Sequence, residues 1–217
     1  MIRITLKGLA NFMTGTDSQR RKQLQDFKYP KGEGQARAQY YEHAIRAIKR
    51  YHRGGNSEEE VLDHAAARLQ RDAESADGPR KTKLLLNASA IRAYLRNFAP
   101  LFGEPQDDLR FSLVFGEVDV KVTPDLHLLY KGSPVLVKFD FATKAARGGL
   151  PRIWLQGLYE ATINSGYEVK PANLLYLDVR RNKKHKGARV GSRIASDMKA
   201  ACETIAEMWP NIRRPAK

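Results

Sequence analysis

The residues best suited to chemistry are acids on strand-like sequence between 110 and 141. Glu117 and Asp119 are two apart in a run that alternates along a strand, so they face the same way. Asp125 follows Pro124 at the start of the next strand, and Lys138 and Asp140 are again two apart on the third. Antiparallel pairing of these strands would bring Asp125, or Asp119, near the Lys138/Asp140 face. Two or three converging carboxylates make a hard oxygen site suited to Mg²⁺ or Mn²⁺. Such an ion polarises a phosphodiester and lowers the pKa of an attacking water, and a lysine beside it stabilises the developing charge. The plainer alternative is that Lys138 and Asp140 satisfy each other's charge, or another partner, within a core.

Other chemistries have little to stand on. His43, His52, His64, His127 and His185 form no H-x-x-x-H or H-E-x-x-H pattern, which argues against a zinc hydrolase. They are expected on helix surfaces, except His127, which can approach the acidic face. The single cysteine, Cys202, excludes an internal disulfide framework and is expected to pack on the apolar face of the last helix. Ser192 has no base partner in view, and no phosphate-binding glycine loop appears.

The elements that must position the acids follow from periodicity. Residues 34–53 carry Ala38, Tyr41, Ile45 and Ile48 on one helical stripe, and 57–71 and 82–98 repeat the pattern. From Pro100 on the texture changes. Phe111 to Val122, Leu126 to Tyr130 and Val135 to Phe141 read as a three-strand antiparallel meander, with Lys131-Gly132-Ser133-Pro134 as a turn. A helix over 151–165 holds Trp154 and Leu158. The apolar run Leu174 to Val179 predicts a strand buried on both faces, and 192–209 is a closing amphipathic helix. The expected fold is α/β (α+β): a mixed central sheet containing the meander, flanked by helices. Residues 1–99 form a basic helical N-terminal region and 100–217 the α/β core.

The 217 residues carry 38 Lys and Arg against 24 Asp and Glu, a net charge of +14. Residues 1–53 hold twelve basic residues against four acids, and 180–193 hold seven with no acid, so two segments supply the surplus. The first includes Arg20, Arg21 and Lys22. The second comprises Arg180, Arg181, Lys183, Lys184, Lys186, Arg189 and Arg193 and is expected as a mobile loop at a sheet edge. Basic groups so placed suit phosphate contacts, which position a polyanion without reading sequence. Aromatic residues interleave poorly with them, so base stacking on single strands has weak support. No apolar run approaches the ~18 residues of a membrane span, and the first residues carry no h-region. A cytoplasmic protein is expected, with nucleic acid as partner and no membrane. A homodimer or a partner subunit is compatible with this chain.

The layout resembles the PD-(D/E)XK nuclease superfamily. Pro124-Asp125 is followed, after a twelve-residue hairpin, by Lys138-Phe139-Asp140. Gly116-Glu117-Val118-Asp119 resembles the G-x-x-D strand of the RecB-like exonuclease branch, and the helix with Gln156 and Tyr159 resembles its Q-x-x-x-Y helix. The likeness covers residues 110–180. It departs in two places. The family has an acid and then a lysine two residues later, whereas here Lys138 precedes Asp140, an exchange over one strand step of ~6.6 Å. The tyrosine also follows Gln156 by three residues and not four.

The resemblance implies hydrolysis of DNA phosphodiester bonds with Mg²⁺ or Mn²⁺. Asp125 and Asp140 would be ligands, with Glu117 or Asp119 auxiliary. Lys138 or Lys144 would stabilise charge, and Gln156 and Tyr159 would orient substrate backbone. DNA is the expected ligand ahead of RNA. The alternative is a catalytically inactive nuclease-like DNA-binding or adaptor subunit. A third reading is an interaction module whose basic surface meets an acidic protein.

Overall fold

The computed structural model describes residues 1–30, 40–54, 59–99, 103–142, 149–188 and 192–214. Its architecture is α/β, with two sheets and seven α-helices among those residues. In chain order the elements are β1 (Ile2–Thr5), α1 (Leu6–Thr14), α2 (Asp17–Lys28), α3 (Glu42–Arg53), α4 (Glu59–Glu74) and α5 (Gly78–Phe98). Then come β2 (Glu104–Pro105), β3 (Phe111–Phe115), β4 (Val118–Val122), β5 (Leu126–Tyr130) and β6 (Ser133–Asp140). The chain closes with α6 (Leu150–Asn164), β7 (Leu174–Asp178), β8 (Lys183–Lys186) and α7 (Ser192–Met208).

The five-stranded mixed sheet has the order β2-β5-β6-β7-β8, with β6 and β7 parallel and joined through α6. Successive residues of β6 and β7 enter different cores, as strand geometry requires. Val135, Val137, Phe139, Leu175 and Leu177 join one core with Ile48, Leu62, Ile91 and Tyr94 of α3–α5. Leu136, Leu174 and Tyr176 join the other, with Trp154 and Leu158 of α6, Leu6 and Leu9 of α1, and Met198 and Cys202 of α7. Burial on both faces explains why β7 has no polar alternation before Asp178. Cys202 is fully buried, and burial pushes its thiol up to about 12.

Phe111–Val122 is not one strand. Gly116 adopts a positive φ of 57°, which only glycine takes without strain, and folds the segment into a β3–β4 hairpin. That hairpin pairs with β1 in a second, three-stranded sheet of order β1-β4-β3. The expected meander is thus divided between two sheets. Strand β1 sits in a region that composition marks as helical. It alternates buried and exposed residues and lies parallel to β4, with Ile2 opposite Val118. Residues on both sides of 99 contribute to both cores.

His52 also departs from the expected helix surface. It is fully buried, with Nε2 2.7 Å from the Tyr94 hydroxyl, and burial raises the Tyr94 pKa. Among the described residues no helix is long and apolar enough to cross a membrane.

Candidate functional site

The β5–β6 hairpin sets the site. Lys131 and Gly132 both have positive φ, 49° and 71°, the pattern of a two-residue turn whose twist matches the strands it joins. The turn fixes the register Leu126↔Val137, which brings Asp125 beside Lys138. Asp125 Oδ1 accepts a hydrogen bond from Lys138 Nζ at 2.8 Å, and Oδ2 accepts the Phe139 N–H at 2.9 Å. The Lys138 ammonium lies 5.8 Å from the Trp154 ring centroid, over its face. These side chains are 13% exposed for Asp125 and 22% for Lys138.

The next row pairs Asp140 with Asp178 across the parallel strands, as Lys138 pairs with Tyr176. The two carboxylates are satisfied separately. Asp140 accepts the Tyr176 hydroxyl at 2.7 Å on Oδ2 and the Ala142 N–H at 3.0 Å on Oδ1. Burial, and then the Asp140 charge, push the Tyr176 pKa up. Asp178 is only 4% exposed. Arg181 Nη1 donates to both its oxygens at 3.1 and 3.0 Å, and the Arg181 N–H adds a bond of 3.2 Å to Oδ1. Asp178 is the site residue that sequence reasoning missed. Its signal was an acid closing an otherwise apolar run, where an uncompensated charge would be costly.

Several expected partners stand elsewhere. Glu117 is exposed in the β3–β4 turn, not on a strand face with Asp119. Asp119 belongs to the three-stranded sheet, where it accepts from the Ser112 hydroxyl and lies 4.0 Å from Arg3 Nε. Gln156 and Tyr159 do lie on α6, but they line a cavity at the Leu174 end of β7. That end is about 13 Å along the strand from the Asp178 end. Gln156 Nε2 donates to Glu160 Oε1 at 2.7 Å. His127 is held by Tyr167, whose hydroxyl is 2.8 Å from Nε2, and by the Asp107 carbonyl, 3.0 Å from Nδ1. It therefore does not approach the acids. Lys144 and Arg189 lie outside the described residues.

Among the described residues, the expected ligands as placed do not fit Mg²⁺ or Mn²⁺. Asp125 already has its counter-charge in Lys138, and a second cation there would face an ammonium. Among the described residues, no three His, Cys, Asp or Glu side chains form a group able to hold a metal.

The basic residues divide into two kinds. Arg180 and Arg181 are built into the fold. Arg180 reaches the Phe141 carbonyl at 2.7 Å, Ser89 Oγ at 3.1 Å and the Leu86 carbonyl at 3.2 Å, while Arg181 also donates to the Ala142 carbonyl at 3.3 Å. Arg20 is likewise engaged, with the Phe12 carbonyl at 2.9 Å and Asp17 at 3.3 Å. By contrast Arg21, Lys22, Lys183, Lys184, Lys186 and Arg193 are exposed. The three lysines stand on β8, an edge strand, where a loop was expected. Partial burial, and then the Lys186 charge, lower the Lys184 pKa.

A second basic group joins distant parts of the chain. Lys28 Nζ donates to the carbonyls of Trp209, Ile212 and Pro210 at 2.6, 3.2 and 3.4 Å. Gln25 Nε2 holds the Arg213 carbonyl at 3.0 Å. Arg213 and Arg214, both exposed, are thereby docked on α2, which also carries Arg21 and Lys22.

Compared with known proteins, the chain matches no family model, no curated protein and no solved structure.

Proposed function

We propose that this protein binds DNA through its phosphates and does not hydrolyse it. The observation that carries the reading is the division of labour among charges. The strand carboxylates Asp125 and Asp178 are neutralised from within the chain, by Lys138 and Arg181. Exposed basic side chains include those of β8, the start of α7, and α2 with the C-terminal arm. A hydrolytic site needs carboxylates open to a cation, whereas a phosphate-binding surface needs cations open to solvent. The resemblance to PD-(D/E)XK nucleases supports DNA as the ligand and supplies the competing reading, metal-dependent cleavage.

One set of measurements separates the readings. Fluorescence anisotropy with duplex DNA should give affinity that falls steeply with salt, and plasmid incubated with Mg²⁺ or Mn²⁺ should stay intact. Metal-dependent cleavage abolished by Asp125→Ala with Asp140→Ala would replace this reading with the nuclease one. Loss of all retention on DNA at ~0.15 M salt would point to an acidic protein partner instead.

A further inference from the structure

Near the Leu174 end of β7, among α6, the turn at Pro171, the end of β8 and the start of α7, lies a cavity of about 90 Å³. Its polar wall consists of Arg152, Gln156, Tyr159 and Lys186, and its apolar wall includes Leu155 and Leu174. We propose that this cavity is a binding site for a tetrahedral oxyanion, a phosphate group, held by Arg152, Lys186, Gln156 and Tyr159.

Four observations carry it. Among the described residues, no carboxylate lines the cavity. Among the described residues, neither Arg152 nor Lys186 forms an ion pair, so two unpaired cations share one wall. Gln156 is 7% exposed and is fixed by its bond to Glu160 Oε1, which takes one amide hydrogen and leaves the second for a ligand. The volume accommodates a few waters or one oxyanion. The apolar wall lowers the local dielectric and strengthens charge-assisted bonds to a bound anion.

The phosphate has two sources, the end of a nucleic-acid strand or a small phosphorylated molecule. The site itself does not depend on the DNA-binding reading, because inorganic phosphate is a sufficient probe. Thermal unfolding of the full chain is followed in sodium phosphate and in sodium chloride of equal ionic strength. Phosphate should raise Tm in the wild type and in Arg71→Gln, an exposed control on α4. Arg152→Gln and Lys186→Gln should each weaken apparent phosphate affinity by about tenfold, the loss of one charge-assisted partner. Equal Tm in the two salts, or an equal phosphate effect in all four proteins, would overturn the site.

Oligonucleotides with a 5′-phosphate and a 5′-hydroxyl then identify the source. Tighter binding of the 5′-phosphate form, lost in Arg152→Gln, assigns a strand end. Equal binding of both forms, with the phosphate effect intact, assigns a small phosphate. If no oligonucleotide binds while phosphate still stabilises, the DNA reading fails and the oxyanion site stands.

Discussion

The Lys138 ammonium lies 2.8 Å from Asp125 Oδ1, in the hairpin register that sets the two side chains together. In the PD-(D/E)XK pattern that the sequence resembles, an acid would stand at that point. Here the residue is a lysine, whose ammonium pairs with Asp125. Asp140, one strand step further on, is turned to Tyr176 and the Ala142 amide. With lysine at this point, Asp125 is held in an internal ion pair.

Removing one member should cost more than removing both. Lys138→Met keeps the stem against Trp154 but leaves Asp125 with only the Phe139 amide. For a pair this buried, either that change or Asp125→Leu should destabilise by about 2–3 kcal/mol, a discount on a fully buried pair for the residual exposure. The double variant should recover part of the loss. Urea unfolding in a double-mutant cycle measures this, and strictly additive losses would refute the coupling.

Charge reversal should create what the pair now prevents. Lys138→Glu sets a carboxylate beside Asp125 and two residues before Asp140, and the repulsion should lower stability in the absence of metal. Millimolar Mg²⁺ or Mn²⁺ should then raise the Tm of the variant, since a ligand that binds only the native state stabilises it by mass action. The wild type should not respond. An equal rise in both proteins would show that the existing carboxylates already bind the ion.

The seven basic residues of 180–193 should not behave alike. Changing Lys183, Lys184 and Lys186 together to Gln should leave Tm nearly unchanged and reduce the salt slope of duplex binding by about 2.7, or ~0.9 for each phosphate that is no longer neutralised. Arg181→Gln should instead cost stability, about 2–4 kcal/mol, because it leaves Asp178 buried without its charge partner. Salt titrations and thermal melts on the same proteins make the comparison. A stable Arg181→Gln protein with weakened DNA binding would reverse the roles.

Much of the fold was legible because burial imposes a period. The helices α3, α5, α6 and α7, and the strands β5, β6 and β7, follow from apolar spacing, with ends within about four residues of those observed. The exception is the start of α3, expected at Gly34 and observed at Glu42, where residues 34–39 lie outside the described residues. Strand β1 escaped because four residues are too short to carry a period and its partner β4 lies more than a hundred residues away. The β3–β4 hairpin escaped because its turn rests on Gly116 alone, between two alternating runs that join without a break in pattern. At the site, residue types were legible but partners were not. Whether Lys138 meets Asp140 on its own strand or Asp125 on the next is decided by hairpin register, and Asp178 and Arg181 become a pair only through the turn after β7.

Alkaline pH should unfold the protein steeply. Tyr176 and Tyr94 are both raised above the ordinary tyrosine value, chiefly by burial. Below about pH 10 both are neutral in folded and unfolded chains alike, so the stability they are linked to is fully present. As pH rises past that value the unfolded chain loses these protons and the folded chain keeps them. Stability should then fall by about 1.4 kcal/mol per pH unit for each group. Tyr176→Phe should reduce this slope by about one proton while lowering stability at neutral pH, since Asp140 loses a donor. Circular dichroism from pH 8 to 12 measures both, and an unchanged slope in the variant would refute the linkage.

The C-terminal arm should depend on Lys28. An ammonium has three hydrogens, and the three carbonyls around Lys28 Nζ, from Trp209, Ile212 and Pro210, can take all of them. Lys28→Met should cost about 2 kcal/mol, since bonds to a charged donor are worth more than neutral ones but these are partly solvated. Lys28→Arg should not restore it, because a planar guanidinium fork does not match three carbonyls converging on one point. Freed from α2, the arm should be cut faster by trypsin after Arg213. Duplex binding should also lose part of its salt dependence, because the two arginines would no longer be held against α2. Unchanged trimming and an unchanged salt slope in Lys28→Met would separate the arm from the basic face of α2.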